Sequence, residues 1–334
     1  MATGRPPVSG WEGRRVLVTG GEGFIGSHLV DRLLQEGADV RALVHYNPGG
    51  RWGWLEGRED EVHLLPGDVR DGERVLSAVE GRDVVFHLAA LIGIPYSYEA
   101  PDSYVQTNVM GTYNVLNACR RAGVERLVHT STSEVYGTAL RVPIDEEHPL
   151  QPQSPYAATK VGADMLAVSF HRSFELPVAV IRPFNTYGPR QSTRAVIPAL
   201  LAQIFGDAED IHMGATHPTR DFNFVEDTVS GFLAVASADR ALGQVVNVGS
   251  GREIAIGDLV ELLFEVTGRR KKLVTEDERL RPEGSEVHRL LCDHTRAREW
   301  TGWEPRVPLE EGLRRTAEWV RENRGALRAR TYHV

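Results

Sequence analysis

The chain has 334 residues, a formal net charge of −8, 41% hydrophobic residues and 25% charged residues. That length builds one large domain or two intimate ones, and an acidic balance without a basic stripe excludes a nucleic-acid binder. No run of about 18 apolar residues is present to span a membrane, and two cysteines, Cys119 and Cys292, supply neither a disulfide framework nor a zinc spacing, so no metal is expected.

The opening "MATGRPPVSGWEG" has no apolar run behind its arginine, so no signal peptide is read and a cytoplasmic protein is expected. "RRVLVT" (Arg14–Thr19) is a short apolar run stopped at Gly20, a strand. "FIGSHLVDRLLQEG" (Phe24–Gly37) carries apolar residues at helical spacing and stops at glycine. "DVRALV" (Asp39–Val44) is the next strand, followed by "EVHLLPGD", "DVVFHLAA", "ERLVHTS" and "PVAVIRPFN" (Pro177–Asn185), with helical stretches between. This alternation predicts an α/β fold with a parallel sheet covered on both faces. After about Asn185 the rhythm loosens, and "LGQVVNVGSG" reads as one more strand. The expected division is a nucleotide-binding unit over 1–185, with a returning segment near 222–250, and a smaller C-terminal α/β substrate unit over 186–334.

"TGGEGFIG" sets Gly20, Gly23 and Gly26 between the first strand and the first helix. That setting suits a dinucleotide: a tight turn, close backbone approach to a pyrophosphate, close helix–strand packing, and helix N–H groups facing the anion. The expected fold is therefore a Rossmann-type doubly wound sheet. An acid normally ends the second strand to bond the ribose of NAD. Here the strand ends in "LVHYNPGGRW", with no acid at that spot. His45 and Asn47 can bond a ribose and Arg51 can meet a 2′-phosphate, so the sequence leaves NAD and NADP both open. Asp68, in "GDV", can bond the adenine.

Tyr156 and Lys160 in "SPYAATK" lie four apart, on one helical face. A free phenol ionises near pH 10, and a neighbouring ammonium favours the phenolate. With the glycine turn and "STSEVYG" (Ser131–Gly137), this pattern resembles the extended short-chain dehydrogenase/reductase family over nearly the whole chain. The matching pieces include "TGGEGFIG", "GDV", "HLAA", "NVMGTYNVLNA", "YAATK", "RPFNTYGPRQ", "RDFNFVED" and "NVGSG". Within it, "VHYNPGGRWGWLE", "LAALIGIPYSYEAPDSYVQTNV" and "RPEGSEVHRLLCD" are similar to nucleotide-sugar 4,6-dehydratases, especially those of the legionaminic-acid type.

The resemblance implies a nicotinamide cofactor, NAD with NADP possible, held by the three glycines, Phe24, Ile25, His45, Asn47, Arg51, Asp68, Val69, Leu88, Ala89, Ala90, Tyr156 and Lys160. It implies a nucleotide-diphosphate sugar held by Asn185, Arg190, Arg220 and Arg281, with Arg194 a further candidate. It implies a homodimer through helices at about 102–122 and 154–173. Tyr156 and Lys160 are the implied catalytic pair, assisted by Thr132, while Glu134 fits a base for the sugar C5 hydrogen once C4 is a ketone. Many dehydratases of this type carry Asp where Ser133 stands, and a serine is a feeble acid. The Thr-Ser-Glu triplet is equally similar to UDP-glucuronate decarboxylases. A C4 epimerase and a non-catalytic dinucleotide-binding regulator on the same fold stay open.

Overall fold

The computed structural model describes residues 10–276 and 283–325. Arg281, one of the expected diphosphate ligands, lies outside the described residues.

Seven strands make the main sheet: β1 (Arg15–Thr19), β2 (Asp39–His45), β3 (His63–Gly67), β4 (Val84–His87), β5 (Arg126–Thr130), β6 (Val178–Pro183) and, joining late, β10 (Val245–Val248). All pair in parallel, in the order β10-β6-β5-β4-β1-β2-β3. Strands β4 and β6 are buried along their whole length, as the apolar runs that open them require when helices cover both faces. Strand order reverses between β1 and β4, which opens a crevice at their carboxyl ends. Between β6 and β10 lie β7 (Asn185–Tyr187), β8 (Asp210–Met213) and β9 (Thr219–Phe224). After β10 come β11 (Glu253–Ala255) and β12 (Lys272–Thr275). These five form a three-stranded sheet, β11-β9-β7, and a two-stranded one, β12-β8.

Helix α1 (Phe24–Gln35) follows β1, α2 (Gly72–Val79) follows β3, and α3 (Ile94–Glu99) and α4 (Pro101–Tyr104) follow β4. A π-helical turn, Val105–Met110, then leads into α5 (Gly111–Ala122). The helix expected at about 102–122 is thus three pieces rather than one. Helix α6 (Pro155–Phe174) runs 20 residues. Ser154 caps it by accepting from the Ala157 N–H at 3.1 Å, and Pro155 occupies its first turn. This serine–proline pair fixes where the helix starts, and so where Tyr156 and Lys160 stand. No described helix is long and apolar enough to cross a membrane. Cys119 and Cys292 are both buried free thiols.

Candidate active site

The crevice is built on a hydroxyl. Thr19, the last residue of β1, accepts from the backbone N–H groups of Leu88 and Ala89, each at 3.1 Å. Its own proton goes to His87 Nδ1 at 2.8 Å, which leaves the His87 Nε2–H to donate to Thr112 at 3.1 Å. Burial, first, and the neighbouring His129 push the His87 imidazole well below its ordinary range, so it stays neutral. This ties the ends of β1 and β4 together. Gly20 turns between them at φ +71°, where a Cβ would stand 2.9 Å from the Ala89 nitrogen. A Cβ on Gly26 would stand 2.1 Å from the Gly20 carbonyl oxygen. Helix α1 starts from Gly23 with no side-chain cap, so its first N–H groups face outward, as a pyrophosphate cradle needs. The residues present therefore fit a dinucleotide.

At the ribose end, His45 and Arg51 are exposed, and Asn47 accepts from the Gly49 N–H within its own turn at 2.9 Å. The carboxylate missing from β2 arrives from elsewhere. Glu22, inside the glycine turn, accepts the His45 N–H at 2.7 Å. Burial raises its carboxyl above the usual range, against the pull of that N–H. The residue is visible in "TGGEGFIG", but an x position in a glycine motif carries no signal of its own. Asp68 accepts from Arg70, the larger cause of its lowered pKa, so any bond to adenine would share it with that arginine. Val69 is buried under the same edge.

The wall expected to be catalytic joins the end of β5 to α6. Thr132 accepts from the Glu134 N–H and hydrogen-bonds the Tyr156 hydroxyl. Burial, with the Glu134 carboxylate close by, drives the Tyr156 phenol well above its ordinary value, opposed by the Thr132 bond. Tyr156 packs edge-on against Tyr104, ring centroids 6.3 Å apart. The Lys160 ammonium donates to the Thr130 carbonyl at the end of β5. Burial lowers it to about 8, and the Asp164 carboxylate opposes the loss of its charge. Ser133 is only 2% exposed, as deeply set as Lys160.

Beneath this wall lies a charge cluster that motif reading leaves unassigned. Asp164, one turn past Lys160, is fully buried. It accepts from Ser131 at 2.6 Å, from His129 at 3.2 Å, and from Arg182 through two nitrogens at 2.9 and 3.1 Å. Burial alone would raise its carboxyl, but these partners outweigh burial and hold it at about 2. Arg182 also donates to the Tyr136 hydroxyl, which donates to Asn247 on β10. Asn108, in the π turn, clamps the Leu91 backbone and donates to Thr159 on α6. "VGAD" and "RPF" contain Asp164 and Arg182, yet only the fold shows that they meet.

On the opposite side the expected substrate ligands scatter. Asn185, at the start of β7, has a buried Oδ1 without a protein partner, an acceptor waiting for a donor. Arg194 is exposed, and its charge opposes the rise that burial and Tyr96 impose on the Tyr104 phenol, which puts it on the Tyr104 side of the crevice. Arg220, on β9, is buried and pairs with Glu286 at 3.0 Å. Arg190 turns the other way and pairs with Asp31 of α1 at 2.7 Å, so the crevice does not receive it here.

The pattern described as GDP-mannose 4,6 dehydratase matches residues 17–316. The chain belongs to that family. It is 36% identical over 322 residues to a UDP-glucose 4-epimerase of Mycolicibacterium smegmatis, covering 92% of this chain and 98% of that one. It is 34% identical over 318 residues to a dTDP-glucose 4,6-dehydratase of Streptomyces niveus, covering 93% and 94%. Its structure superposes on a dTDP-glucose 4,6-dehydratase of Streptomyces venezuelae, solved with NAD bound, with a TM-score of 0.84 and 31% identity over 93% of this chain and 98% of that one. Dehydratases and epimerases both stand at this distance, so the family is the nucleotide-sugar dehydratase/epimerase group of the extended short-chain dehydrogenases/reductases.

Proposed function

We propose that this enzyme is an NAD-dependent nucleotide-sugar 4,6-dehydratase. The observation that carries the reading is Glu134, a carboxylate close enough to Tyr156 to raise its phenol, set on the same Thr132 that bonds the phenol. Thr132 and Tyr156 hold the C4 oxygen of the hexose, and Tyr156 takes the C4 hydroxyl proton. Lys160, kept cationic by Asp164, favours the phenolate form of Tyr156 that accepts this proton. NAD held in the glycine-turn crevice would supply the hydride acceptor for C4 and the hydride for C6. A C4 ketone acidifies the C5 hydrogen, so Glu134 can remove it and pass the proton to the departing C6 hydroxyl. That shuttle does without the acid that Ser133 replaces. Asn185, Arg194, Arg220 and Arg281 hold the nucleotide-sugar diphosphate, where the arginine fork suits two phosphate oxygens. The substrate is a GDP- or UDP-activated hexose or N-acetylhexosamine, as the similarity to legionaminic-type dehydratases implies.

Ser133 favours a second reading, since a C4 epimerase needs no acid there and an epimerase is among the relatives. Incubation with a panel of nucleotide sugars separates the two by mass. Loss of one water supports the dehydratase, unchanged mass with an inverted C4 supports the epimerase, and loss of carbon dioxide from a uronate supports a decarboxylase. We also propose a homodimer through α5 and α6. The exposed Val105, Met110, Tyr113, Met165 and Phe174 supply an apolar face for it. A monomeric mass in solution would contradict it.

A further inference from the structure

The ribose end of the cofactor crevice poses a chemical problem. In this fold the adenosine ribose lies at the carboxyl end of β2, and an acid there distinguishes a 2′-hydroxyl from a 2′-phosphate. The β2 terminus offers only the exposed His45 and, beyond it, Asn47 and the exposed Arg51. The Asn47 Oδ1, its acceptor for a ribose hydroxyl, already accepts from the Gly49 N–H in its own turn. Arg51 alone would suit a phosphate.

Glu22 changes that balance. Its Oε1 accepts the His45 N–H at 2.7 Å, which brings the carboxylate to the β2 terminus. Its Oε2 is buried and has no protein partner. The chain also returns to hold the residue from behind. The Trp54 N–H donates to the Glu22 carbonyl at 3.1 Å, and a Cβ on Gly53 would stand 2.6 Å from that same oxygen. The residue is therefore held by three segments: its main chain by the glycine turn and the loop after β2, and its carboxylate by the end of β2. A buried acceptor-only oxygen is satisfied by a hydroxyl donor, and a phosphate dianion brought beside it is repelled.

We infer that Glu22 takes the place of the missing β2 acid, accepting a hydrogen bond from the adenosine ribose and selecting NAD over NADP. The inference rests on the reading of this crevice as a nicotinamide-dinucleotide site and is indifferent to whether the sugar is dehydrated or epimerised.

The test is direct binding, with no turnover. The purified protein is titrated with NADH and with NADPH, following energy transfer from its tryptophans, alongside Glu22→Gln and Arg51→Ala. The wild type binds NADH at least about tenfold more tightly, since one charge-assisted hydrogen bond contributes about that much. Glu22→Gln, which retains an oxygen for the His45 N–H, weakens NADH about tenfold and tightens NADPH. Arg51→Ala keeps the NADH preference. Mass spectrometry of the nucleotide released from denatured wild-type protein finds NAD rather than NADP, which needs no variant to fold. An unchanged NADH-to-NADPH ratio in Glu22→Gln overturns the role of Glu22, as does release of NADP from the wild type. Binding of neither nucleotide by the wild type overturns the cofactor reading as well.

Discussion

The two walls of the crevice are built on opposite terms. The wall carrying Tyr156 and Lys160 stands on a saturated polar platform: Asp164 alone takes bonds from Ser131, His129 and Arg182. The facing wall offers an unpartnered Asn185 oxygen, an exposed Arg194, and an Arg190 turned onto α1. Proton transfer needs groups fixed to within a fraction of an ångström, so its supports are bonded before any ligand arrives. Diphosphate capture tolerates looser groups, because charge acts over longer distances.

Substitutions on the two walls should therefore differ in kind as well as size. Tyr156→Phe removes the proposed C4 base and should slow turnover by about 10²–10⁴-fold, with little change in stability by thermal melting. Asp164→Asn strips the countercharge from buried Arg182 and should cost about 3–5 kcal/mol in denaturant unfolding. A loss below about 1 kcal/mol would mean the platform is not bonded as described. Glu134→Gln should leave C4 oxidation running and stall elimination. Reduced nicotinamide would then accumulate, visible by its absorbance after mixing with substrate. Normal turnover by this variant would remove Glu134 from the mechanism.

Acid probes the platform without mutation. The Asp164 carboxyl, near 2 when folded and about 3.9 when unfolded, stabilises the fold above pH of about 4. That contribution, about 2–3 kcal/mol, is lost as pH falls from about 4 towards 2, and Asp164→Asn should flatten this limb of the stability curve. Arg194→Ala should have the smallest effect, a rise in KM of about tenfold or less with kcat unchanged. An equal fall in kcat would place Arg194 at the chemistry rather than at the phosphates.

The same contrast explains what the sequence discloses. Strand order, the glycine turn and the Tyr156–Lys160 face follow from local rules, because period, punctuation and capping act within a few residues. Asp164, Arg182 and Asn247 come from one helix and two strands, and no spacing between them signals that they share a network. Glu22 was hidden differently. The end of β2 carries no acid in the sequence, whereas the fold brings one there from the preceding turn. The π turn at Val105–Met110 also escapes, since its composition fits an ordinary helix and only the clamp by Asn108 shows its use.

The late arrival of β10 has a consequence during synthesis. Strand β6 is wholly buried and opens on four apolar residues, and its outer edge is closed only by β10, about 60 residues further on. At about 5–20 residues per second, a ribosome needs roughly 3–12 seconds to make that stretch. For those seconds the nascent sheet displays an open hydrogen-bonding edge to any other extended chain. The enzyme's yield in a cell should accordingly depend on chaperones that occupy nascent chains, and on the pace of translation between Pro183 and Val245.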